Sequence, residues 1–190
     1  KIYRDDPTIM AWDIVNEPSM QFASTAEFKS WLTDISSYIR SIDGNHLITI
    51  GIDNSSMSYD ESGAQYDALD VPDLDFLSIH FNLPPKSDMA SQLQRLQFRV
   101  NTFLSMGKPV ILEEFGIGSL RAYPPMSPGE ITDWVKKYKD QMDVVFSAGG
   151  SGAMFWGWGV PETKTVPLWW QSEDHDMTET AFCDLIRNYQ

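Results

Sequence analysis

The sequence predicts an α/β fold built on a parallel sheet, and three observations carry that prediction. Apolar runs of strand length alternate with amphipathic helical patterns five times along the 190 residues. The strand-like runs are apolar at consecutive positions, as expected for parallel strands covered on both faces. Several of them run into residues suited to chemistry, and such residues gather at the C-terminal ends of parallel strands in doubly wound sheets and in (β/α)8 barrels alike. Both architectures stay open at this point.

Residues 3–7, Tyr-Arg-Asp-Asp-Pro, are a polar loop with a proline stop, and residues 9–15 are the first strand. That strand delivers Asn16 and Glu17 before Pro18 breaks regular pairing. Thr25 reads as the N-cap of a helix whose apolar positions Phe28, Trp31, Leu32, Ile35, Tyr38, Ile39 and Ile42 recur at threes and fours, with Gly44 past its end. Residues 46–52, rich in β-branched side chains, are the second strand. Residues 53–72 are polar and without period, and long connections of this kind usually serve function. The third strand, 75–81, ends near His80. A helix over 88–106 follows through Leu93, Leu96, Val100, Phe103 and Leu104, closed by Gly107. Residues 110–112 are a fourth buried run, ending in Glu113-Glu114-Phe115-Gly116. Ile131, Trp134, Val135, Tyr138 and Met142 then mark a helix, Gly149-Gly150 a turn, and 153–158 a fifth strand carrying Trp156 and Trp158. Residues 177–189 read as a closing helix with Ala181, Phe182, Leu185 and Ile186 on its apolar side. One domain, 1–190, accommodates the whole pattern.

Composition removes several functional classes. A formal net charge of −13 repels a phosphate backbone, so nucleic acid is not an expected partner. No run approaches the ~20 apolar residues of a membrane span. Cys183 is the single cysteine, which excludes an internal disulfide, and its helical apolar setting makes it a small buried hydrophobe. Neither GxGxxG nor GxxxxGK[ST] follows any strand, which removes the usual nucleotide sites, and the expected chemistry needs no metal or organic cofactor. Seven tryptophans exceed what a core of this size requires; Trp and Tyr also stack on sugar rings and nucleobases.

The chemistry centres on two carboxylates delivered by separate parallel strands, Glu17 and one of the Glu113-Glu114 pair. Such a pair breaks a sugar acetal: one protonates the leaving oxygen and the other attacks the anomeric carbon. The acid needs a raised pKa, whereas the nucleophile has to stay ionised in a more polar setting. A helix-start carboxylate is the plain alternative for Glu17, and a turn-forming residue that for Asn16. Strand alternation sends Glu113 and Glu114 to opposite faces, so only one is expected to enter the cleft.

Trp12-Asp13-Ile14-Val15-Asn16-Glu17-Pro18, His80, Leu112-Glu113-Glu114-Phe115-Gly116 and Phe155-Trp156 together resemble the second part of a clan A glycoside hydrolase of family 5. Residues 3–9 resemble the endo-β-1,4-mannanases within it. The resemblance implies a (β/α)8 TIM barrel of which this chain supplies strands 4 to 8. It implies Glu17 as acid/base, Glu114 as nucleophile, and Asn16 as the amide on the sugar 2-hydroxyl. It places His80 beside the acid/base and Trp156 under the sugar at the cleavage point. Trp158, Trp169 and Trp170 are candidates either for further subsites or for packing, and Tyr59 and Tyr66 are candidates for one wall of the cleft. Glu113 is then expected to pair or cap elsewhere. The implied substrate is a β-1,4-linked polysaccharide, mannan before cellulose, and the implied location extracellular. Asn54-Ser55-Ser56 matches an N-glycosylation triplet, usable only in a secreted eukaryotic protein.

Two departures qualify the resemblance. Asn82 stands where the family places a tyrosine bonded to the nucleophile. A complete barrel takes about 250 residues, and three βα units, including an early-strand arginine that helps hold the nucleophile, are missing from the pattern. The expectation is a partial barrel completed by a preceding segment or a second chain. The alternatives are a carbohydrate-binding or structural remnant without turnover, and an unrelated doubly wound domain in which Glu17 and Glu114 do not converge.

Overall fold

The computed structural model describes residues 2–18, 24–53, 64–83, 87–117, 128–156 and 180–189. Five strands, β1 (Ala11–Asn16), β2 (Leu47–Ile52), β3 (Leu77–Leu83), β4 (Val110–Ile117) and β5 (Gly152–Phe155), form one sheet in the order β1-β2-β3-β4-β5. Every pairing is parallel. A doubly wound sheet reverses its strand order at a switch point. This one does not, so that reading is excluded.

Right-handed crossovers between successive parallel neighbours put all the connecting helices on one face. Those helices are α1 (Thr25–Ile42), α2 (Met89–Leu104) and α3 (Pro128–Ser147), with α4 (Thr180–Asn188) after β5. Ser24, not Thr25, caps α1. Its hydroxyl accepts the Glu27 amide at 3.2 Å while Glu27 accepts the Ser24 amide at 2.8 Å, a reciprocal box that satisfies two otherwise orphaned donors. Asp88 caps α2 by accepting the Ser91 amide, and Gly107 ends the turn behind it at φ 75°, a conformation that favours glycine. Pro128 opens α3, where its missing N–H costs nothing.

The connection from β2 to β3 contains a 3-10 helix, Ala64–Leu69, against which α1 packs. Tyr66 is buried there, edge-on to Phe103 at 5.1 Å, so it belongs to the core and not to a cleft wall. Its helical neighbours, not solvent, use its ring. Tyr59, the Asn54 triplet, Trp158, Trp169 and Trp170 lie outside the described residues.

The sheet is two-faced, which differs from the expectation of strands apolar on both sides. Toward the helices, Ile48, Ile50 and Ile52 of β2, Leu77, Ile79 and Phe81 of β3, and Val110, Leu112 and Phe115 of β4 join Leu32, Leu96, Val100, Phe103 and Tyr138 in one core. The alternate positions carry Asp13, Thr49, Gly51, Ser78, His80 and Glu113. Thr49 and Ser78 bond each other at 2.9 Å across that face, and Asp13 accepts the Gly51 amide at 3.1 Å. Short runs of β-branched and small residues hide this alternation, because threonine, serine and glycine break an apolar pattern only weakly.

Candidate active site

The site lies where three irregularities fall together. Between β3 and β4 the register passes from Ile79↔Leu112 to His80↔Glu114, leaving Glu113 as an extra residue. β4 is bulged against β5 over the same stretch. β1 is bulged against β2 between Asp13 and Asn16. A bulge re-aims the side chains beyond it, and bulges collect beside functional sites.

The bulge in β4 overturns the expectation for the two glutamates. Leu112 and Phe115 both face the helices, Phe115 stacking on Tyr138 and Phe155 at 5.6 and 4.7 Å. Two residues therefore stand between successive outward positions, and both Glu113 and Glu114 turn inward. Each reaches His80: Glu114 Oε2 lies 3.4 Å from Nδ1, and Glu113 Oε2 lies 3.6 Å from Nε2. Glu113 therefore lines the cleft, bonded to Ser78 and facing His80, instead of pairing away from it. β3 also continues three residues past His80, because its pairing with β4 runs on to Leu83↔Ile117, so His80 sits mid-strand.

Glu17 arrives from β1 in a left-handed conformation, φ 49°, which costs a non-glycine residue on the order of 1 kcal/mol or more. Its amide donates to the Gly51 carbonyl at 3.0 Å, and its carboxylate meets His80 Nδ1 at 2.9 Å. The turn thereby converts a strand end into a group aimed across the sheet. His80 Nδ1, one oxygen of Glu17 and one of Glu114 all lie within 4.8 Å of one another. That donor set would also suit a divalent cation, but a histidine between two carboxylates serves acid/base chemistry without one.

Electrostatics follow from crowding. Burial opposes a charge on His80, which is 1% exposed, but the interactions with Glu113 and Glu17 and the negative charge of Glu114 raise its pKa on balance. Burial pushes Glu113 up, yet His80 and a hydrogen bond with Ser78 hold it below the ordinary carboxylate value. Glu114 is pushed up by burial and by the charges of Glu17, Glu113 and Asp13, against the pull of His80. The nucleophile is expected to stay ionised in a polar setting, whereas the surroundings of Glu114 raise its pKa above the ordinary carboxylate value. Carboxylates from two strands surround one imidazole.

Of the other expected residues, Asn16 is exposed at the end of β1, opposite Gly51. Asn82 is exposed near the end of β3, in register with Gly116. Trp156 follows β5 directly, half-buried, its amide bonded to the Phe115 carbonyl at 3.1 Å. Asp13, Gly51, Ser78 and Arg99 were not anticipated. A Cβ on Gly51 would stand 2.4 Å from His80 Nε2, so only glycine admits the imidazole. A lone glycine inside a β-branched run was the available signal. Arg99 on α2 gave none; it is buried and donates to the carbonyls of Ile52, Asp53 and His80 at 3.1, 2.8 and 3.4 Å, tying β2 to β3.

Residues 1–181 match the family model described as GH family 5 beta-mannosidase-like. The chain belongs to that family. Among family 5 relatives, mannan endo-1,4-beta-mannosidase 1 of Arabidopsis thaliana is 29% identical over 185 residues, covering 82% of this chain and 44% of its own length. Mannan endo-1,4-beta-mannosidase A of Podospora anserina is 30% identical over 83% of this chain and 42% of its own. The solved endo-beta-1,4-mannanase of Thermotoga petrophila superposes with a TM-score of 0.71 at 27% identity, over 98% of this chain and 44% of that one. This family 5 chain spans under half the length of those relatives. The five parallel strands with their helices are thus part of a TIM barrel.

Proposed function

We propose that this family 5 chain carries the catalytic pair of a retaining endo-β-1,4-glycosidase acting on mannan in preference to cellulose. The observation that supports it is the convergence of Glu17, just past the end of β1, and Glu114, at the bulge of the non-adjacent β4, to within 4.8 Å of each other beside His80. Close-set carboxyls, about 5 to 5.5 Å apart, suit double displacement, whereas inversion needs room for a water between them.

Glu17 then protonates the glycosidic oxygen as its bond to the anomeric carbon breaks, while the Glu114 carboxylate attacks that carbon to form a glycosyl ester. Glu17, now ionised, takes a proton from water, and the resulting hydroxide equivalent displaces Glu114. Asn16 donates to the 2-hydroxyl, Trp156 lies under the sugar, and Trp158 belongs to a further subsite. Release of reducing sugar from mannan and from carboxymethylcellulose tests the reading. Glu17→Gln lowers kcat/KM on mannan by roughly 10²- to 10⁴-fold, and Glu114→Ala removes turnover. Equal release by the parent and Glu114→Ala overturns the assignment. Retention is read from the anomer first formed, by proton NMR.

Activity of this kind requires the rest of the barrel, supplied by a preceding segment or another chain. Two features support this. Trp31, Tyr38 and Ile42 form an exposed apolar stripe on α1, on the side away from the 3-10 helix, where a further helix packs in a closed barrel. Glu114 also lacks a cationic partner other than His80 among the described residues, a place for the early-strand arginine. The same observation favours a second reading, a carbohydrate-binding remnant: binding of mannan without release of sugar by the full-length protein would select it.

A further inference from the structure

Glu113 has no role in double displacement, yet the bulge in β4 turns it inward as firmly as Glu114. The two ring nitrogens of His80 face different partners. Nδ1 meets Glu17 at 2.9 Å and Glu114 at 3.4 Å; Nε2 faces Glu113 Oε2 at 3.6 Å. Nε2 and that oxygen are both buried and neither has a hydrogen-bond partner, so a few tenths of an ångström separate them from a bond that satisfies both. Gly51 leaves the space that lets the ring sit there.

A neutral imidazole carries one proton, and the partner of each nitrogen decides where it resides. An ionised carboxylate only accepts. Glu113 is held ionised by His80 and Ser78, so the nitrogen facing it is the one that carries hydrogen. Nδ1 is then left toward Glu17, able to take its proton and give it back.

We propose that Glu113 is a positioning residue that fixes the proton of neutral His80 on Nε2 and thereby makes Nδ1 the site that exchanges a proton with Glu17. The exchange balances: Glu17 carboxylic acid and neutral imidazole become carboxylate and imidazolium, and the reverse returns the proton. The groups facing the pair are Asp13 on β1, Glu17 beyond it, Ser78 on β3 and Glu114 on β4, with the Arg99 guanidinium on the His80 carbonyl from α2. The consequence for catalysis rests on the glycosidase reading; the proton placement rests on the geometry around the ring and on the charge of Glu113.

Nitrogen-15 NMR of histidine-labelled full-length protein tests it, with the His80 signals assigned by their loss in His80→Asn. The expected result is neutral His80 protonated at Nε2 and bare at Nδ1. Glu113→Gln, close to isosteric, is expected to lower the His80 midpoint by about one pH unit, tenfold in proton affinity, as loss of a neighbouring opposite charge does. On mannan the basic limb of kcat/KM moves to lower pH by a similar amount, with kcat reduced and KM held. Neutral His80 protonated at Nδ1, or an unchanged midpoint in folded Glu113→Gln, overturns the proposal. If Glu113→Gln does not fold, the tautomer in the parent protein still decides. Absence of mannan hydrolysis by the parent protein overturns the glycosidase reading and leaves the tautomer result to judge Glu113.

Discussion

At the scale of single residues, the site is shaped as much by what is absent as by what is charged. Gly51 is the clearest case. Gly51→Ala places a methyl against the His80 ring, and overpacking of this kind costs about 1 to 3 kcal/mol. We expect a lower melting temperature together with loss of turnover, since the ring has to leave Glu17 to relieve the clash. Glu114 behaves in the opposite sense. Its carboxyl is raised above the ordinary 4.5 by burial and by neighbouring carboxylates, so the folded state is favoured below that value and loses stability as pH rises through the raised one. Glu114→Gln is therefore expected to melt higher than the parent chain at pH 7, with the difference vanishing near pH 4. Equal melting temperatures at pH 7 would show that the crowding carries no cost.

At the scale of elements, buried polar ties decide which strand ends stay together. Arg99 binds the carbonyls of Ile52 and Asp53 at the C-terminal end of β2 and that of His80 in the middle of β3. Arg99→Leu keeps the apolar contact and leaves those acceptors unpaired, for an expected loss of about 3 kcal/mol or more in denaturant unfolding. A second tie lies at the opposite end of the sheet. His46, buried between α1 and β2, bonds the Asp6 carbonyl at 2.9 Å and Asp43 at 2.7 Å, while the Trp12 indole donates to Asp43. Those acceptors raise the His46 pKa; Asp43, which burial alone would raise, is held well below the carboxylate range by His46, Trp12 and the amides of Asn45 and His46. The sign follows from both shifts. The histidine contribution is full below 6.5 and fades as pH rises through its raised value; the aspartate contribution is full above 3.8 and fades as pH falls. The difference in melting temperature between the parent and His46→Asn should peak between those values and shrink toward pH 9.

At the scale of the whole molecule, five parallel strands lie side by side in the order of the chain. β1 pairs only with β2 and β5 only with β4 among the described residues. Unpaired strand edges recruit other chains. This 190-residue chain alone is expected to associate as its concentration rises, seen by light scattering, and a chain supplying the preceding βα units should suppress the effect. A dispersed monomer at high concentration would count against barrel completion.

The sequence by itself determined the parallel α/β alternation, the family, and the placing of Asn16 and Glu17 after one strand and Glu114 on another, because hydrophobic period and short motifs are local signals. It also located α1 to within a residue, mistaking only Thr25 for Ser24. Tertiary structure decided the rest. Which way Glu113 points depends on a bulge in β4, beyond which Phe115 packs on Tyr138 and Phe155, residues from other parts of the chain. The upward shift of Glu114, the room made by Gly51 and the hold of Arg99 on the His80 carbonyl arise in the same way. Alternation along one strand cannot encode them, since each depends on what a neighbouring strand or helix brings to the same place.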